Sequence, residues 1–136
     1  MDSRLTELFD TTFVRGGREI KTGLDCQGLL LKMMEIYNFD VKEYDVASYA
    51  TEVVSRMISD ASATEKWEKI SSPEEGCVVV IALDPMQPDK AQHLGVYIGE
   101  GKFIHILKKR GVLTSRINDR FFAQKLRGFY KWKKAN

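Results

Sequence analysis

HLGVYIGEGKFIHILKK, residues 93–109, decides the fold. HLGVYIG (93–99) and FIHILKK (103–109) are rich in β-branched and aromatic residues, and the glycine-containing EGK (100–102) is a short turn between them. Such a pattern predicts an antiparallel β-hairpin. Each strand carries one of the chain's 2 histidines: His93 opens the first and His105 lies on the second. Antiparallel pairing brings the two into the same neighbourhood, although the sequence alone leaves the register open.

Working outward, CVVVIAL (77–83) is a continuous β-branched run and reads as a buried strand, followed by a two-proline loop, DPMQPDKAQ (84–92). GVLTSRI (111–117) extends the meander, and RGFYKW (127–132) supplies an edge or closing strand. The N-terminal half has a different period. Residues 3–10 suggest a short helix and FVRGGREIKTG (13–23) a loop. A strongly apolar helix starts near Asp25 and ends at Asn38. VASYATEVVSRMIS (46–59) repeats a helical stripe, a short helix is expected around 64–69, and SSPEEG (71–76) is a turn. Helices first and an antiparallel sheet after them predict an α+β fold, with N-terminal helices packed on a C-terminal antiparallel β-sheet. At 136 residues the chain makes one domain, 1–136.

Composition narrows the function. Lys+Arg 21 against Asp+Glu 19 gives a net charge of +2, too balanced for a nucleic-acid binder, and the locally basic KLRGFYKWKKAN reads as a solvated end. No apolar run approaches the ~20 residues of a membrane span. MDSRLTELFD is acidic and polar without an apolar core, which argues against a secretory signal and for a cytoplasmic location until the protein is released or carried elsewhere. The 2 cysteines, Cys26 and Cys77, do not make a disulfide framework, and no CxxC or HExxH motif calls for a metal. No cofactor is implied.

GLDCQGLLLKMMEIY (23–37) holds the candidate nucleophile. Asp25 is a good N-cap, so Cys26 falls in the first turn of the helix, where free N–H groups favour a thiolate and lower a thiol pKa. A lone cysteine is also a common small core residue. Two histidines on one hairpin supply the other reading: one imidazole takes the Cys26 proton and the second orients the first.

FVRGG-x5-GLDCQGLL, HLGVYIGEGKFIH and the closing RGFYKW together resemble the NlpC-type papain-like cysteine peptidases of bacterial cell walls, over about residues 13–132. The resemblance implies a papain-like fold with Cys26 as nucleophile, His93 as base and His105 as the residue that orients it. It implies hydrolysis of peptidoglycan stem peptides, at the D-glutamyl–diamino acid bond that the family commonly cuts. It also places Phe13, Asp25 and Gln27 on the substrate side: Phe13 stands where the family has tyrosine, Gln27 where it has serine, and Asp25 is positioned to pair with a substrate amine. The single short domain and the GFYK-like end are similar to family members encoded among phage tail genes, which makes phage tail proteins candidate partners. Two alternatives accompany this reading: a catalytically weak structural or binding module of a phage tail, and a thiol amidase or acyltransferase acting on a non-wall substrate. Cys77 reads as structural.

Overall fold

A computed structural model describes residues 3–42, 67–84, 86 and 93–133. The helix expected over 46–59 lies outside the described residues, as does most of the 84–92 loop. The elements are α1 (Ser3–Leu8), β1 (Arg18–Glu19), β2 (Gly23–Leu24), α2 (Cys26–Ile36), β3 (Trp67–Ile70), β4 (Val78–Ile81), β5 (His93–Gly99), β6 (Lys102–Leu107), β7 (Gly111–Arg116), α3 (Arg120–Ala123) and β8 (Leu126–Trp132). β3 through β8 form a six-stranded sheet in the order β3-β8-β4-β5-β6-β7, with every neighbouring pair antiparallel. This is the α+β arrangement read from the sequence.

Two expectations are corrected. Residues 67–70 are a strand, where a short helix was expected. Trp67 and Ile70 have helical spacing, but pairing with β8 overrides it: Trp67 sits opposite Trp132 in register, and the two rings meet edge to face with centroids 5.0 Å apart. β8 is not an edge strand. It is inserted between β3 and β4, so its backbone is paired on both sides. A four-residue helix, α3, capped by Asp119 through the Phe121 N–H, follows β7.

Strand alternation sorts the sheet into two faces. Val78 and Val80 of β4, Leu94 and Val96 of β5, Ile104 and Ile106 of β6, and Val112 of β7 pack in one cluster with Leu29, Leu30, Met33 and Met34 of α2. Burying each such side chain stabilises the fold by ~1.5–3 kcal/mol relative to exposing it, so α2 is held mainly by this apolar face. On the opposite face Val79, Ile81 and Phe103 pack with Phe122 of α3.

The direction of α2 over the sheet follows from its two ends. At its C-terminal end the Tyr37 hydroxyl donates to Glu75 at 2.9 Å, and Gly76 N–H donates to Tyr97 O at the far end of β5 from His93. Cys26, at the other end of α2, therefore lies toward the His93 end of β5. The loop before α2 reaches the same end: Thr11 O accepts from Val112 N at the start of β7, and Thr12 O accepts from Leu24 N. β7 starts opposite Leu107, where β6 finishes alongside the beginning of β5.

Candidate active site

The first part of the site is the start of α2. Asp25 is the N-cap, with φ −104° and ψ −173°, and its carboxylate Oδ1 accepts from Gly28 N at 2.8 Å. The same oxygen takes Arg18 Nη1 at 2.8 Å, and Oδ2 takes Gly16 N at 2.9 Å. Asp25 is fully buried. Its charge is thus compensated from within by one guanidinium and two backbone N–H groups, as a buried carboxylate requires. Gly28 is needed for this approach, because a Cβ there would collide with the Gly17 carbonyl oxygen. Against the expectation of a carboxylate open to a substrate amine, Asp25 clamps the 16–18 loop to the helix.

Cys26 is 8% exposed and belongs to the core cluster under α2. Its thiol pKa is pushed up to about 11 by burial first and by the neighbouring Asp25 charge second. The backbone N–H groups of Cys26 and Gln27 and the Arg18 charge pull the other way but do not win. The helix-start effect expected from the sequence is present and outweighed, so the resting sulfur is a neutral thiol. Gln27 is buried beside it. Phe13 is half-buried, bridges to Leu24 and packs on the same cluster.

The second part is the histidine pair. His93 Nε2 and His105 Nδ1 are 2.8 Å apart, with the rings edge to face at a centroid distance of 5.1 Å. His105 is fully buried, and its ring lies 4.7 Å from that of Phe103 and 5.2 Å from that of Phe122. His93 sits opposite Ile81 in register, which puts it on the same face as Ile81, Phe103 and Phe122. Burial lowers the His93 pKa to about 4, and burial, His93 and Arg110 together lower that of His105 to about 3. Both rings are neutral at pH 7. The other nitrogen of His105, Nε2, lies 2.8 Å from Ser115 Oγ.

The structure therefore brings His93 and His105 into direct contact and sets Cys26 at the same end of the sheet, on the α2 side. Among the described residues the Cys26 sulfur makes no hydrogen bond to either imidazole. Catalytic hydrogen bonds commonly tighten only with substrate in place. Cys77 is buried at the foot of β4, where its N–H donates to Glu74 O and its carbonyl accepts from Tyr97 N. Its thiol is raised to about 11, chiefly by burial. Sequence reasoning missed Arg18 and Ser115. Ser115 was within reach of strand alternation, because it pairs with Phe103 on the strand that also pairs with His105. Arg18 carried no local signal, since its partner is fixed by the fold of the loop.

Residues 10–131 match the model of the NlpC/P60 family. No curated protein sequence matches the chain significantly. Among solved structures, the NlpC/p60 domain of the peptidoglycan hydrolase SagA superimposes with a TM-score of 0.57 at 15% identity, covering 95% of this chain and 92% of that one. NlpC2 from Trichomonas vaginalis gives 0.63 at 20% identity over 96% of this chain. An NLP/P60 family protein, similar to lipoprotein, from Staphylococcus aureus gives 0.61 at 16% identity over 97% of this chain. The present chain spans 45% and 41% of the length of those last two. A match over residues 10–131, on a sheet and leading helix shared with these structures, means that the chain belongs to the NlpC/P60 family.

Proposed function

We propose that this protein is a cysteine peptidase that hydrolyses peptide bonds in the stems of bacterial cell-wall peptidoglycan, at the D-glutamyl–diamino acid bond. Cys26 is the nucleophile, His93 the general base and His105 the residue that orients it. The observation that carries the reading is the ring-to-ring contact of His93 and His105 at 2.8 Å, at the end of the sheet where α2 begins with Cys26. Family membership and the fold shared with a named peptidoglycan hydrolase support the substrate class.

The chemistry follows from the protonation states. A thiol near 11 and an imidazole near 4 do not form a resting ion pair. The proton leaves sulfur only as sulfur attacks: Cys26 Sγ bonds to the stem carbonyl carbon while its proton passes to Nδ1 of His93. The carbonyl oxygen becomes an oxyanion beside the N–H groups at the start of α2, where partial positive charge is available. Collapse of this intermediate breaks the C–N bond, and His93 returns the proton to the leaving amine. Water, deprotonated by the same imidazole, then hydrolyses the thioester and restores the thiol. Phe13 and Gln27 shape the substrate side of this site. Asp25 keeps the nucleophile at the helix start and places its negative charge next to it.

The test is digestion of purified peptidoglycan followed by mass spectrometry of the released fragments. Fragments with a new diamino-acid N-terminus are expected from the wild type. No release, or equal release by Cys26→Ala, contradicts the reading. Binding of stem peptides without any product would instead select the binding module, a second reading favoured by the lack of a Cys26–His93 hydrogen bond among the described residues.

A further inference from the structure

We infer that Ser115 is a positioning residue that completes a His93–His105–Ser115 relay and fixes the tautomers of both imidazoles. The inference rests on the proposed roles of Cys26 and His93. Two 2.8 Å contacts run in series: His93 Nε2 to His105 Nδ1, and His105 Nε2 to Ser115 Oγ. A neutral imidazole has one N–H and one bare nitrogen, so the polarity of one contact sets that of the next. When His93 accepts the thiol proton it carries hydrogen on both nitrogens. Its Nε2–H then has one role, donation into a bare Nδ1 of His105. The single proton of His105 must accordingly sit on Nε2, and Ser115 Oγ must accept it. The opposite polarity, with Ser115 donating, puts the His105 proton on Nδ1 and the His93 proton on its own Nδ1. That arrangement leaves His93 without a base facing the thiol.

Ser115 suits this role because both of its needs are met. It is half-buried on β7, opposite Phe103, and its oxygen reaches inward to a ring that is itself fully buried. It also lines an open cleft of about 620 Å³, which leaves room for its own hydroxyl proton to turn away from His105. The charged groups around that cleft are Lys102, Arg110, Arg116 and Asp119. On the inner side the ring of His105 lies against the rings of His93, Phe103 and Phe122. Removing the hydroxyl leaves a buried N–H of His105 without its acceptor at the moment His93 becomes charged, and an orphaned buried donor is costly.

Three variants and one spectroscopic measurement test this. Ser115→Ala is expected to lower kcat about 10- to 100-fold on peptidoglycan fragments, with KM little changed. It should also move the acid limb of the kcat/KM profile to lower pH, because the imidazolium of His93 has lost support. Ser115→Thr keeps the hydroxyl, with its extra methyl toward the cleft, and is expected to restore both. Nitrogen-15 NMR of the resting wild-type protein should show His105 protonated on Nε2 and His93 bare on Nδ1, with mixed tautomers in Ser115→Ala. The NMR result needs no turnover, so it stands apart from the peptidase reading, which fails separately if Cys26→Ala remains active. Wild-type kcat and an unmoved pH profile in Ser115→Ala would overturn the inference. So would a wild-type His105 protonated on Nδ1.

Discussion

The two parts of the site are stabilised in opposite ways. At the start of α2, full charges are buried and compensated: Asp25 is held by Arg18, Gly16 and Gly28, all within ten residues of it. At the start of β5, charge is excluded: His93 and His105 are neutral rings joined to each other and packed against Phe103 and Phe122. The first part is local and electrostatic. The second is assembled across strands and depends on register. The proposed nucleophile, Cys26, and the proposed base, His93, are thus kept neutral by burial, next to one region that already holds an ion pair. The protein places its charge where it fixes the loop and withholds it where the proposed mechanism moves a proton.

This contrast is open to direct attack, beginning with the largest effect. His93→Ala removes the proposed base and is expected to lower kcat on peptidoglycan about 10³-fold, the range of general acid–base contributions, while the chain stays folded by circular dichroism. Activity within tenfold of wild type would break the contrast on the histidine side. Asp25→Ala deletes the cap and the buried carboxylate that pairs with Arg18, so a stability loss of about 3–5 kcal/mol is expected in denaturant titration. A loss below about 1 kcal/mol would mean that the clamp is not structural.

Acidification separates the two parts. The imidazoles titrate near 4 and 3 in the folded chain, below the ordinary value of 6.5. Their folded pKa values are depressed, so the neutral forms stabilise the fold fully above about pH 6.5. That contribution is lost as pH falls toward 4, because the unfolded chain binds protons first. Stability from thermal melts should therefore fall between pH 6.5 and 4 by on the order of 5 kcal/mol for the two rings together, and the fall should be shallower in His105→Asn. The smallest effect is on the surface. Lys32 lies 4.0 Å from both Glu19 and Glu35, an exposed geometry, and Lys32→Ala should change stability by less than about 0.5 kcal/mol. A larger change would blur the distinction between buried and surface charge.

What was legible in the sequence follows the same division. The cap at Asp25, the buried helix after it and its end at Asn38, which adopts φ 62°, are local signals and appear where they were read. The hairpin of 93–107 is likewise a matter of turn residues and alternation, and with it came the nearness of the two histidines, but not the register that sets their 2.8 Å contact. The strand at 67–70 was misread because a four-residue segment with apolar residues at i and i+3 fits either period. Only its distant partner, β8, decides between them. The commitment of the Asp25 carboxylate to Arg18 was hidden for a related reason: an ion pair across a glycine-rich loop depends on backbone path and leaves no periodicity. The rise of the Cys26 thiol to about 11 was also hidden, since burial and the adjacent carboxylate outweigh a helix start that sequence reading had weighed alone.

The central claim is that Cys26, and not the more deeply buried Cys77, does the chemistry. The direct measurement is hydrolysis of purified peptidoglycan by Cys26→Ala and Cys77→Ala, compared with wild type at matched folded concentration. The account predicts no detectable release by Cys26→Ala and near wild-type release by Cys77→Ala. Activity that survives Cys26→Ala would contradict it.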